Sequence, residues 1–189
     1  GFVIADVTGH GLAAAMMMAN FQAAVRVALT ADVLLPEAVR RLNRLVCLNT
    51  GPSVFITAIL ARVDSATGAV EYLNAGHPAP LVLHRRGSED LSDGMALPLG
   101  IEPDENFVVQ RIEPERDLEL VLFYTDGLIE AADPAGQLLK LPPVTQELAG
   151  LSDRTAESVL QALLELVRRH LGDAKNADDL TLAAIEYRR

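Results

Sequence analysis

The sequence predicts an α+β sandwich with helices outside two antiparallel sheets, and three observations carry that reading. The elements run strand, two helices, a series of antiparallel-looking strands, a helix and a final strand, without the strand–helix alternation of a doubly wound α/β fold. Several of the strands are continuous apolar runs, the pattern of strands buried on both faces. Half of the 189 residues are hydrophobic, which suffices for a sizeable core, so residues 1–189 are expected to form one domain.

Phe2 to Ala5 is the first strand-like run, and it meets Asp6-Val7-Thr8-Gly9-His10-Gly11. From Gly11 to Leu29 alanine, methionine and valine dominate, with Asn20, Gln22 and Arg26 as polar interruptions. That composition favours helix, and its near-continuous apolarity predicts a buried one, with Met16, Met17 and Met18 as core filling. Pro36 suits the first turn of a second helix. In it Ala38, Val39, Leu42, Leu45, Val46 and Leu48 recur at helical spacing until Asn49-Thr50-Gly51-Pro52 stops it.

Val54 to Val63, the turn Asp64–Gly68 and Ala69 to Asn74 then read as a hairpin. Ala79 to His84, Phe107 to Ile112 and Leu118 to Tyr124 are further strands, with Arg85 to Asp93 an exposed loop. Glu113, Glu115 and Asp117 belong to a solvated turn, and Ala132 to Pro142 is expected to be irregular. Thr155 caps an amphipathic helix carrying Val159, Leu160, Leu163, Leu164, Leu166 and Val167; Gly172 ends it, and Leu180 to Tyr187 is the last strand.

The formal charge of −10 argues against a nucleic-acid backbone or an anionic membrane as partner. Cys47 stands alone, so neither an intramolecular disulfide nor a Cys-rich zinc site is available, and a reducing cytoplasm is the expected location. No stretch approaches the roughly 20 apolar residues of a membrane span. The chain opens inside a strand-like run without an initiator Met, so a longer protein is expected.

Acids at the ends of the apolar runs carry the chemistry. They are Asp6 after the first run, Asp126 in Tyr-Thr-Asp-Gly, and Asp178 with Asp179 in Asn-Ala-Asp-Asp-Leu-Thr. Carboxylates at strand ends can converge although distant in sequence, and they repel unless a cation lies between them. An all-oxygen set favours Mg²⁺ or Mn²⁺ over Zn²⁺. That points to metal-dependent hydrolysis at phosphate. Each acid also has a plainer reading: Asp6 as the N-terminal acid of a helix, Asp126 as a turn acid, Asp178 as a cap on the final strand. His10, a candidate general acid, is read with His77 as loop-shaping, Cys47 as a buried inert thiol, and Arg85 with Arg86 as a surface pair rather than a site for a phosphorylated protein. Gly9-His10-Gly11 is no phosphate-cradling P-loop, since the Lys-Ser/Thr ending is missing.

Five segments occur in an order known from one family: ADVTGHGLAAAMMMA, NAGHPAPLVL, Leu97 to Ile101, FYTDGLIEAADPAG and DDLTL. From Phe2 to Tyr187 the chain resembles the bacterial PPM (PP2C-like) serine/threonine phosphatases of the sporulation and stress type, the SpoIIE/RsbU-like group. The resemblance implies a four-layer αββα sandwich with a two-metal centre of Mn²⁺ or Mg²⁺. Asp6 would be the bridging carboxylate, the Val7 carbonyl a ligand, and Asp126 and Asp178 the remaining ligands on this chain. Asp179 would orient the loop or sit behind the metal ligands. Ala5 stands where the family usually has Gly, and the family's further acid, in a Gly-Gly-Asp-like segment, belongs upstream of Gly1.

The resemblance further implies a phosphoserine or phosphothreonine protein as substrate, of the anti-sigma-factor-antagonist type in a partner-switching pathway. It implies an N-terminal sensor or receiver domain as well, and a homodimer or switch built on the first two helices. The alternative is a pseudophosphatase, the same fold serving as a binding or dimerisation module with metal weakly held or absent.

Overall fold

A computed structural model of the protein describes residues 1–30, 33–51 and 54–187. The chain divides into two compact units, residues 1–77 with 93–113, and residues 78–92 with 114–189. Each unit contains one antiparallel four-stranded sheet and two helices, so the class is α+β as the sequence predicts.

In the first unit β1 (Phe2–Val7), β2 (Ile56–Val63), β3 (Val70–Ala75) and β6 (Gln110–Ile112) lie in the order β1-β2-β3-β6. Helices α1 (Leu12–Ala28) and α2 (Leu35–Asn49) pack on this sheet, α1 against β1 and α2 against β2 and β3. Phe21, Val39, Leu42 and Val46 meet Ala58, Leu60, Leu73 and Leu99 in one buried cluster. Pro36 stands in the first turn of α2, where its missing N–H is no loss. Asn43 is fully buried on the same helix: its amide donates to the carbonyl of Glu102 at 2.7 Å and accepts from Gly100 N–H at 2.9 Å. Those bonds tie α2 to the loop after Leu99.

In the second unit β4 (Leu81–His84), β5 (Gly87–Asp90), β7 (Leu118–Tyr124) and β8 (Leu182–Glu186) lie in the order β5-β4-β7-β8. Helices α3 (Leu141–Ala149) and α4 (Ala156–Leu171) cover it, with Val144, Leu148, Val159, Leu163 and Val167 against Leu81, Leu83, Leu120 and Leu122. Thr155 caps α4 as its sequence predicts, accepting the Ser158 N–H at 3.2 Å. Leu120 to Phe123 are all fully buried, so the apolar run does mark a strand covered on both faces.

Several readings need correction. Helix α1 forms where predicted but is not a buried helix: Phe21 is its one buried residue, while Leu12 and Val27 are 78% and 77% exposed. Met17 and Met18 pack on the core, whereas Met16 faces outward. On α2, Leu45 and Leu48 are exposed although their spacing placed them with the core, and Asn43 takes the buried position instead. The loop at Arg85–Asp93 contains β5, a short and wholly exposed edge strand that pairs Leu81 to His84 with Asp90 to Gly87. Finally, α3 begins at Leu141, inside the segment expected to be irregular, and the strand at Phe107–Ile112 is ordered as β only from Gln110. Pro52 of the expected α2 stop lies outside the described residues.

Candidate functional site

Strand β7 delivers Asp126. After Tyr124 the backbone stays extended at Thr125 and then closes a 3-10 turn over Asp126–Leu128, with Leu128 N–H on the Thr125 carbonyl at 3.0 Å. The amides of Ile129 and Glu130 both donate to the Asp126 carbonyl, at 2.9 and 2.8 Å. The backbone of the acid is thereby fixed.

The side chain of Asp126 is not satisfied in the same way. Its Oδ1 is buried without a hydrogen-bond partner. Burial first, and then the negative charge of Asp178, raise the Asp126 pKa above the ordinary carboxylate value; the amides of Gly127 and Asp126 itself act in the opposite direction. A buried carboxylate oxygen without a donor, beside a second carboxylate, is a costly arrangement in a protein alone. A hard divalent cation offsets both terms at once. The residues present therefore fit Mg²⁺ or Mn²⁺.

Asp178 comes from the loop between α4 and β8, and it is exposed, with its Oδ1 accepting the N–H of Asp179 at 2.8 Å. Four hydrogen bonds join this loop to the Asp126 turn. The Thr125 hydroxyl donates to the Asp179 carbonyl at 2.9 Å and accepts the Thr181 N–H at 2.9 Å. The Thr125 N–H donates to the Thr181 carbonyl at 3.1 Å. The Asn176 amide donates to the Gly127 carbonyl at 3.1 Å. Gly127 has no room for a side chain, because a Cβ there would lie 2.4 Å from the Asp179 carbonyl oxygen. Asp179 thus meets the Asp126 turn through its backbone carbonyl.

Asp6 and Val7 belong to the first unit, at the end of β1, where Asp6 lies opposite Thr57 and Val7 opposite Ile56. Asp6 is half-buried and Val7 buried. The turn that follows needs glycine: Gly9 and Gly11 have φ of 94° and 83°, in the left-handed region, and Gly11 leads directly into α1. Thr57 Oγ1 is 2.9 Å from His77 Nδ1, and His77 is further fixed by Asn74, which accepts its N–H at 2.8 Å and donates to its carbonyl at 2.9 Å. His77 is a buried loop-shaping residue, as read, while His10 is exposed. Among the described residues, no three His, Cys, Asp or Glu side chains gather closely enough to hold a metal ion. The acids brought into interaction are Asp126 and Asp178.

Other candidates fall away on geometry. Burial, and after it Asp90, push the Tyr124 hydroxyl up to about 12, so it is no base near neutral pH. Cys47 is half-buried with its thiol pushed up by burial. Arg85 faces Glu119 at 3.9 Å on the surface. The sequence reading did not single out Thr125 or Asn176. A Thr ending an apolar strand and an Asn two residues before an acid are common, and their meaning lies in partners about 50 residues away in sequence, at separations of 54 and 49.

Residues 1–188 match the family model of stage II sporulation protein E. The chain belongs to the SpoIIE family. It is 30% identical over 134 residues to the phosphoserine phosphatase RsbP of Bacillus subtilis, covering 69% of this chain and 33% of that protein. To the phosphoserine phosphatase RsbU of the same organism it is 25% identical over 189 residues, covering 96% of this chain and 54% of RsbU. The SpoIIE-family chain thus spans about a third to a half of these relatives. Among solved structures it superposes on the SiaA PP2C domain of Pseudomonas aeruginosa with a TM-score of 0.84, at 15% identity over 98% of this chain and 75% of that one. The RsbU and RsbW domains of Rv1364c from Mycobacterium tuberculosis give 0.79 at 30% identity, over 97% of this chain and 50% of that one. The fold is that of a PP2C-type domain. Among the described residues, no helix is long and apolar enough to cross a membrane.

Proposed function

We propose that residues 1–189 form a phosphatase domain that removes phosphate from serine or threonine of a partner protein with the help of bound Mn²⁺ or Mg²⁺. One observation carries the reading: the buried, donorless Oδ1 of Asp126, held beside Asp178 by a clamped loop. Membership of the SpoIIE family and likeness to two phosphoserine phosphatases support the same chemistry. Asp126 and Asp178 would hold a cation, and Asp6 and the Val7 carbonyl are the further ligands proposed on this chain. Bound divalent cations would supply an activated water and neutralise phosphoryl oxygens, so no protein nucleophile would be required.

The chain's own contribution is placement. Thr125 and the 3-10 turn fix the Asp126 backbone, and the loop contacts keep Asp178 close to it. The formal charge of −10 makes the surface a poor match for nucleic acid. The partner in this proposal is a phosphorylated anti-sigma-factor antagonist, and the setting a cytoplasmic partner-switching pathway downstream of an N-terminal sensor or receiver domain. The exposed apolar residues of α1, Leu12, Met16 and Val27, are the surface a homodimer would cover.

The alternative is a pseudophosphatase, the same fold binding a partner without turnover. Hydrolysis of a phosphoserine peptide and of p-nitrophenyl phosphate separates the two. The phosphatase reading requires turnover that needs added Mn²⁺ or Mg²⁺, stops with chelator and is lost in Asp126→Asn. Absence of metal-dependent turnover in the full-length protein sinks it and leaves the binding module.

A further inference from the structure

We infer that Asn176 is a positioning residue, which fastens the loop carrying Asp178 to the turn carrying Asp126 so that both carboxylates face one cation. The inference rests on the reading of those two acids as cation ligands. It adds a residue that lies outside the acidic motif and contributes no charge.

Two contacts bracket Asp178 along the chain. Two residues before it, the Asn176 amide donates to the Gly127 carbonyl at 3.1 Å. One residue after it, the Asp179 carbonyl accepts from the Thr125 hydroxyl at 2.9 Å. Both partners flank Asp126 directly, Thr125 before it and Gly127 after it. Each acid is therefore the centre of a short segment, and the two segments are stitched together on both sides of the pair.

The stitching opposes a definite force. Two carboxylates close together repel, and that repulsion is greatest when no cation is bound. The loop from Gly172 to Thr181 is largely exposed, with Asp173, Lys175, Asp178 and Asp179 all at the surface. Repulsion alone would swing Asp178 outward, into water. The far clasp is secured by β8 itself, since Thr181 precedes Leu182 and bonds Thr125 through its backbone. The near clasp depends on a side chain, Asn176. Its amide donates a neutral hydrogen bond to a carbonyl, so it adds no anion to a site that already holds two. An aspartate at this position would have neither property.

The test is Mn²⁺ binding measured by calorimetry on the intact protein, with Asn176→Ala, Asn176→Gln and the exposed neighbour Lys175→Ala. Asn176→Ala raises the Mn²⁺ dissociation constant about 10-fold, the scale of partners that orient metal ligands. Its metal-free melting temperature falls by no more than about 4 °C, and saturating Mn²⁺ restores kcat because the ligands are intact. Asn176→Gln, which keeps an amide donor on a longer arm, recovers part of the affinity, and Lys175→Ala binds as wild type does. Unchanged affinity in Asn176→Ala overturns the inference. So does a loss that Lys175→Ala reproduces, or one matched by an equal metal-free destabilisation that Asn176→Gln does not relieve. Wild-type protein that binds no Mn²⁺ at all would remove the underlying reading of the acids, before any variant is compared.

Discussion

Replacing Gly127 by alanine tests the site through a single methyl group. The added Cβ would stand 2.4 Å from the Asp179 carbonyl oxygen, 2.9 Å from its carbon and 3.3 Å from the Leu180 nitrogen. Those atoms are backbone and cannot rotate aside, so the loop must retreat by about 1 Å to reach ordinary contact. That movement lengthens the Thr125–Asp179 bond from 2.9 Å and the Asn176–Gly127 bond from 3.1 Å beyond useful range. Forced overpacking costs about 1–3 kcal/mol, and each lost hydrogen bond about 1 kcal/mol. Alanine returns about 0.4–1 kcal/mol by restricting the unfolded chain. The net loss is about 2–4 kcal/mol, which lowers the melting temperature of a chain this size by roughly 5–12 °C. Differential scanning calorimetry without metal reads the stability, and a Mn²⁺ titration reads the accompanying loss of affinity. A variant that melts within about 1 °C of wild type and binds Mn²⁺ equally well refutes the close approach of the two segments.

Three further outcomes follow from other parts of the molecule. Asn43→Ala removes a fully buried amide and strands the Gly100 N–H and the Glu102 carbonyl; it destabilises by about 2–4 kcal/mol, seen as a lower urea midpoint. Lys140 has φ 60° and ψ 172°, a backbone conformation suited to glycine, so Lys140→Gly raises the melting temperature by relieving about 1–2 kcal/mol of strain. Asp126→Asn has a pH signature in metal-free protein. Its folded pKa is raised, so the charged form is disfavoured in the fold, fully so above the raised value and not at all below the unfolded one. The variant is therefore more stable than wild type near neutral pH, and the difference closes below about pH 3; an equal difference at both pH values contradicts the assigned cause.

Much of this fold was legible because local pattern and tertiary role agree. Leu120 to Phe123 is continuously apolar and is a stretch of strand buried on both faces; Thr155 reads as a cap and is one. The failures have physical reasons. Composition gives helix propensity but says nothing of what covers a helix, so the Ala- and Met-rich α1 was placed inside although its Leu12 and Val27 side chains are at the surface. The exposed strand β5 lacks any apolar alternation, since its residues Gly87 to Asp90 are held by backbone pairing with β4. The segment Ala132 to Pro142 was expected to be irregular, yet α3 begins within it, since a first helical turn tolerates Pro142 and Pro143. At the candidate site the acids could be picked out by their positions at strand ends. The contacts that hold them, from Thr125 and Asn176, could not, because those depend on a turn and a loop meeting in space.

Anomalous diffraction from crystals of the full-length protein grown with Mn²⁺ tests the central claim most directly. A Mn²⁺ peak within about 2.5 Å of Asp126 Oδ1, with Asp178 turned toward it and the peak absent in Asp126→Asn, is the predicted result. An Asp126 Oδ1 without a neighbouring peak, at a Mn²⁺ concentration that supports turnover, would contradict it.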